Sequence, residues 1–386
     1  MTRVAVAADV LRWAVERANI PEEKLQKKRE LSKLQEWLSG ESLPTLRQLE
    51  ELAKATWTPL GFLLLQKPPD ERLPVTLYRT IKDEPRKTPG PNLLETLHTM
   101  QHRQTWMREF LIEQGQKPLP FVKSVQLKEK PEKTARRMRD IFSLDENWAS
   151  QQPTWTGALR ILREAMDAAG IMVIVNGIVG NNTHRKLDPA EFRGFVLVDE
   201  YAPLVFINGA DSKAAQMFTL AHELAHVIFG VSAAFDLREM QPADDPVEKI
   251  CDKVAAEFLV PTDELHEFWK TARNDPEPVQ SIARHFKVSS IVAARRLLDL
   301  EIFNINEFRQ FYHAYQNVVR RKPALKKSGG DFTLNQNLRV GRRFASAIVQ
   351  AIGEGKLLYS EAYNLTGLYG KTFERYTASL DTGGNQ

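Results

Sequence analysis

The chain has 386 residues, 42% hydrophobic and 26% charged, the balance of a soluble globular protein with room for two or three domains. Its single cysteine, Cys251, excludes an intramolecular disulfide. No apolar run approaches the roughly 18 residues of a membrane span, and no apolar leader with a small-residue cleavage site opens the chain, so a reducing, cytoplasmic setting without membrane contact is expected. The net charge of +4 is uneven: residues 281–386 carry 16 Lys and Arg against 8 Asp and Glu, whereas residues 1–66 carry 10 against 9. Attraction for nucleic acid would therefore come mainly from the C-terminal part.

Four segments follow one another. Residues 1–66 read as short helices; in "LPTLRQLEELAKAT" the apolar positions Leu46, Leu49, Leu52 and Ala53 recur at helical spacing. "QKPPDERLP" (66–74) breaks helices and reads as a linker. Residues 67–150 form a helical connector, with helices expected over 91–115, ended by Gly115, and over 132–144. Residues 151–274 change character. A helix over 155–170 is followed by three stretches rich in β-branched and aromatic residues, "IMVIVNGIV" (171–179), "FRGFVLVD" (192–199) and "APLVFING" (202–209), which read as strands. Residues 275–386 are helical and basic, with two helices over 278–303 around a Val-Ser-Ser turn and two more over 339–368. The fold class expected is α+β, mostly helical: a small sheet with one histidine-bearing helix, flanked by helical N- and C-terminal domains.

That helix carries "TLAHELAHVIFG" (219–230). Asp211 or Ser212 can cap its start and Gly230 can end it. Its apolar content on most sides implies burial. His222 and His226 are four apart, so both imidazoles leave one face and can share a Zn²⁺ at about 2.0–2.1 Å. Glu223 sits one position round, placed to reach a water at the metal rather than to ligate.

Two histidines hold zinc weakly, so a third ligand is required. "QPADDPVEKICDKVAAEFLVP" (241–261) offers one. Pro246 can open a helix that stops before Pro261. On it Glu248 and Asp252 share a face. Glu248 is the favoured ligand, with Asp244, Asp245 and Glu257 as alternatives, and Asp252 can accept the outer N–H of a ligand histidine. Three ligands leave a fourth position to water, which zinc acidifies. Glu223 would then serve as general base. "APLVFING", as an exposed edge, could hold a substrate peptide by strand addition. The polar loop "GNNTHRKLD" (180–188) could help bound the groove. Cys251 reads as buried packing.

At these residues the chain resembles the ImmA/IrrE family of bacterial zinc metallopeptidases. "EFRGFVLVDEYAPLVFINGADSKAAQMFTLAHELAHVIFG" (191–230) is similar to that family's strand-strand-helix run, and "VEKICDKVAAEFLVP" (247–261) to its glutamate helix. The resemblance covers roughly residues 150–300. It implies a zincin-like metallopeptidase domain, with His222, His226 and Glu248 as zinc ligands, Glu223 as the base and Asp252 where many relatives carry Asn. It also implies narrow proteolysis of a DNA-binding repressor or regulator, often encoded by a neighbouring gene, while some long members accompany toxin-like genes.

"LRWAVERANIPEEKLQKKRELSKLQEWLSGESLPTLRQLEELAKATWTPLGFLL" (11–64) resembles a phage-repressor (XRE) helix-turn-helix. The stretch from Leu25 to Trp37 is shorter than in that pattern and lacks the usual turn glycine, which shortens the recognition helix. Trp13, Trp37 and Trp57 read as core residues. Residues 279–302 also have helix-turn-helix spacing, with Arg295 and Arg296 facing phosphate or solvent. Two functions are expected to compete. One is a zinc endopeptidase acting on a repressor. The other is a DNA- or toxin-binding regulator or antitoxin with a structural or vestigial zinc site.

Overall fold

The computed structural model describes residues 3–70, 76–77, 89–235, 245–321 and 332–382. The fold is α+β and mostly helical, with a small sheet. Two compact units divide the chain: residues 1–74 with 80–98, and residues 75–79 with 99–386. No described helix is long and apolar enough to cross a membrane.

The first unit contains α1 (Ala8–Ala18), α2 (Glu22–Gln26), α3 (Leu34–Ser39), α4 (Leu46–Thr56) and α5 (Leu60–Leu63). Val10, Leu11, Leu34, Trp37, Leu49 and Leu52 form their shared core. Thr45 and Gln48 build a reciprocal capping box that starts α4. A 3₁₀ turn at Arg29–Leu31 takes up chain ahead of α3, which is left with six residues. Of the three tryptophans expected inside, Trp37 is buried and Trp13 packs on the core, but Trp57 is 39% exposed. It ends α4 in a left-handed conformation that turns it outward from the helix line.

The second unit holds the sheet. Its elements are β1 (Thr76–Leu77), α6 (Pro91–Glu113, entering from the first unit), α7 (Pro131–Ile141), α8 (Trp155–Ala168), β2 (Met172–Asn176), β3 (Ile178–Val179), β4 (Asn182–Lys186), β5 (Gly194–Leu197), β6 (Leu204–Asn208), α9 (Lys213–Phe229), β7 (Ala233–Phe235), α10 (Pro246–Leu259), α11 (Thr262–Ala272), α12 (Pro278–Phe286), α13 (Ser290–Asp299), α14 (Ile305–Arg321), α15 (Phe332–Gln336), α16 (Arg342–Gly353), α17 (Tyr359–Thr366) and α18 (Gly370–Thr382). The strand order is β1-β7-β5-β6-β2. β5 is antiparallel to β6 and β7, while β2 runs parallel to β6 and β1 parallel to β7. β3 and β4 form a separate hairpin, so the expected loop at 180–188 contains a strand.

Alternation along the strands sorts the two faces. Val173, Val175, Val196, Val205 and Ile207 join the main core with α8, α9 and α10. Phe195 and Phe206 point the other way and stack with centroids 4.9 Å apart. One expectation is overturned here. β6 is bonded on both sides, to β5 and β2, and all five of its residues are buried. "APLVFING" is therefore an interior strand, not an edge, and its near-continuous apolar run suits burial on both faces. The outer side of β2 is covered by a π-helical turn at Asn337–Gly341. A Cβ added at Gly341, whose φ is +87°, would come within 2.7 Å of the Ile174 side chain. Only glycine permits that approach.

Candidate metal centre

α9 and α10 build the site. Ser212 caps α9 by accepting the amide N–H of Ala215, and the left-handed Gly230 ends it. From Gln216 to Phe229 every residue is buried, because α9 packs on β5, β6, β7, α8 and α10 at once. α10 opens at Pro246 and is capped by Asp245, whose carboxylate accepts the amide N–H groups of Val247 and Glu248. This cap starts the turn that carries Glu248.

The side chains of His222, His226 and Glu248 converge, with one donor atom from each within 4.8 Å of the others. The two Nε2 atoms are 3.0 Å apart. Glu248 places Oε2 3.2 Å from Nε2 of His222 and Oε1 3.1 Å from Nε2 of His226. Tetrahedral ligands at 2.0–2.1 Å from one ion stand about 3.3 Å from each other. The donor set and its spacing thus fit Zn²⁺. Asp252 Oδ1 lies 3.0 Å from Nδ1 of His222, on the opposite ring nitrogen. A carboxylate on that side favours the tautomer with Nδ1–H, which leaves Nε2 to the side of His226 and Glu248.

Burial and charge set the protonation of this group. Burial pulls His222 down, yet its bonds to Asp252 and Glu248 outweigh that and hold it up at about 10. Burial likewise pushes Glu248 up, but its bonds to His222 and His226 bring it down to about 2. For His226 burial wins, and its pKa falls below the ordinary value.

Glu223 is fully enclosed, and its two carboxylate oxygens meet no hydrogen-bond donor among the described residues. Burial pushes its pKa well above the usual carboxylate range, against the pull of His222. It packs under the start of β5, where a Cβ on Gly194 would lie 2.7 Å from Thr219 Cγ2 and 3.3 Å from Glu223 Oε1. A glycine within the strand pattern "FRGFVLVD" is the signal that could have flagged this close approach. The thiol of Cys251 is also pushed up by burial.

The alternative third ligands lie elsewhere. Asp245 is the helix cap just described, and Asp244 lies outside the described residues. Glu257 forms an enclosed ion pair with Arg296 and accepts the Thr262 hydroxyl 2.7 Å away. Arg296 thus meets neither phosphate nor solvent. It also donates to the Val260 carbonyl at 3.0 Å and ties α13 to the end of α10. Arg295 pairs with Asp299. His285 stands 3.0 Å from Glu264 and stacks on Phe268, apart from the cluster of His222, His226 and Glu248.

A search of the curated proteins found no match. Residues 340–379 match a model described as a domain of unknown function (DUF8813). Residues 166–298, the stretch holding β2–β7 and α9–α13, match the Peptidase_M78 family model, described as the IrrE N-terminal-like domain, a zinc-dependent family, and the match supports a zinc metallopeptidase of the ImmA/IrrE type.

Proposed function

We propose that the chain is a zinc-dependent endopeptidase that makes limited cuts in a partner protein, a DNA-binding repressor or regulator encoded by a neighbouring gene. The observation that carries this reading is the convergence of His222, His226 and Glu248 with the Glu223 carboxyl enclosed next to them. When bound, zinc polarises a scissile carbonyl and acidifies water. His222 and His226 would hold it through Nε2 and Glu248 through its carboxylate. Asp252, 3.0 Å from Nδ1 of His222, would accept its N–H and orient that ring. Glu223 takes a proton from the attacking water and delivers it to the leaving amine. Its burial, which favours the protonated form, suits the delivery half of that cycle. The repressor-like pattern of residues 11–64 supports a DNA-binding partner, recognised through a module like its own.

The test is to purify the protein, measure bound zinc and incubate it with the DNA-binding protein encoded next door. Cleavage that requires zinc and is lost in Glu223→Gln is expected. Absence of cleavage with zinc present, or equal cleavage by the variant, would sink the reading.

A DNA- or toxin-binding regulator or antitoxin with a structural zinc site is the second reading. One observation favours it: His222, Glu223 and His226 have no solvent exposure. A shift of the native promoter, or binding of a toxin-like neighbour, that survives both Glu223→Gln and His222→Ala supports it. No shift at low salt and no such binding remove it.

A further inference from the structure

Helices α16, α17 and α18 span most of residues 340–379, the stretch that matches a domain of unknown function. Phe344, Ile348, Leu365 and Tyr376 are buried among them. Their outer face is not simply polar. Leu358 is 67% exposed, Tyr359 55% and Tyr369 61%. Tyr363 links the two tyrosines, with ring centroids 6.2 Å from Tyr359 and 5.8 Å from Tyr369. A run of large apolar side chains in water marks a contact surface. Tyrosine suits one, because its ring can be covered while its hydroxyl stays wet.

At Tyr359 the surface falls into a groove of about 240 Å³. Val349 and Ile352 of α16 and Ala378 of α18 give it apolar walls, and the buried Phe373 of α18 gives it a floor. Tyr359 stands at 81° to Phe373, with centroids 6.3 Å apart. Glu374 is the one charged side chain of the lining, and it has no cation partner among the described residues. Two basic residues of the same segment are engaged elsewhere: Lys356 pairs with Glu354 at 2.7 Å, and the Arg375 guanidinium lies 3.9 Å over the Phe332 ring. Thr377, also in the lining, donates its hydroxyl to the Phe373 carbonyl at 3.1 Å. The Glu374 carboxylate is thus the polar group left for a ligand.

Size and charge together select the occupant. Sites for cofactors and other drug-sized ligands enclose about 300–1,000 Å³, more than this groove holds. One long side chain fits. A lysine or arginine can lay its apolar stem along Val349, Ile352 and Ala378, set its cation against an aromatic face and reach Glu374. An acidic side chain would meet a like charge. We infer that the face of α16–α18 is a docking surface for a partner protein, which inserts one lysine or arginine into the groove and lays flanking apolar residues on Tyr359, Tyr363 and Tyr369. The surface shares no residue with the metal centre, and the inference does not depend on the peptidase reading.

The test uses random peptides displayed on phage. They are selected on the full-length protein carrying Glu223→Gln, so that no displayed peptide is cut, and counter-selected on the same protein with Tyr359→Ala. The surviving sequences should carry Lys or Arg beside Leu, Ile or an aromatic residue. The strongest, synthesised and followed by fluorescence anisotropy, should bind the Tyr359→Ala protein about tenfold or more weakly. Glu374→Arg reverses the charge of the lining and should select Asp or Glu in place of the cation. Tyr359 and Glu374 are both exposed, and circular dichroism confirms that the variants fold. No peptide that survives counter-selection, survivors without a basic residue, or an unchanged selection on Glu374→Arg overturns the inference. So does a dimer in sedimentation velocity that Tyr359→Ala dissolves, since a second copy would then own the surface. Cleavage of the neighbouring gene product is scored separately, so failure of the peptidase reading leaves this result standing.

Discussion

Asp252 Oδ1 stands 3.0 Å from Nδ1 of His222, while Nε2 of the same ring faces Glu248 at 3.2 Å. One imidazole is therefore held from both ends. The ring orientation is set by α10 as much as by α9, which carries it.

Asp252→Ala should weaken zinc binding by about 10–100-fold, the usual effect of removing such a partner. Asp252→Asn, which still offers a carbonyl oxygen to Nδ1–H, should keep most of the affinity. Competition with a chromophoric chelator measures both, with circular dichroism as the control for folding. Equal affinity of the alanine variant and the parent would show that His222 is oriented by packing alone.

Gly194→Ala should cost about 1–3 kcal/mol of stability, the range for overpacking a close-fitted core. The added Cβ would meet Thr219 Cγ2 at 2.7 Å and the Phe206 carbonyl oxygen at 2.9 Å. Glu223 Oε1, at 3.3 Å, would be displaced as well. Urea denaturation and zinc-dependent turnover should both fall, whereas Gly61→Ala, with nothing within 4 Å of the new Cβ, serves as the comparison. An unchanged midpoint in Gly194→Ala would mean that β5 and α9 can separate without cost.

Asp167 on α8 supplies the pH dependence. Burial pushes its carboxyl up, against the opposing pull of Arg343, Arg163 and Arg342. A carboxyl raised in the folded state stabilises the fold relative to its ionised form below the unfolded pKa near 3.9, and that contribution is lost as pH rises through the folded value. Asp167→Asn removes the ionisation. Its melting temperature should match the parent near the acid end and exceed it increasingly towards neutral pH. Calorimetric scans across that window decide it; a variant less stable than the parent at pH 7 would mean the arginines outweigh burial.

Helix positions around the metal centre were legible in the sequence because local rules specify them. Ser212 and Gly230 bound α9, and Pro246 opens α10, as capping chemistry requires. The four-residue spacing puts His222 with His226, and Glu248 with Asp252, on shared faces. Strand partners were not legible. "APLVFING" has the composition of any buried strand, and nothing in it tells an edge from an interior position. β1 and β7 went unread because two or three residues are too short for alternation to stand out and their partners lie far along the chain, and β4 because Asn182–Lys186 is polar throughout and reads as loop. Glu257 and Arg296, one weighed as a ligand and the other as a phosphate contact, are 39 residues apart and meet only through the packing of α13 on α10.

By itself the sequence determined the donor chemistry: two imidazoles at helical spacing, a glutamate beside them and a carboxylate pair on a second capped helix. Those are consequences of helix periodicity, which is local. Tertiary structure alone decided that Glu248 reaches both histidines, that Gly194 closes over Glu223, and that Thr76–Leu77 pairs with β7. Each of these depends on which surfaces are buried together, and burial is a property of the whole packed unit, not of any segment within it.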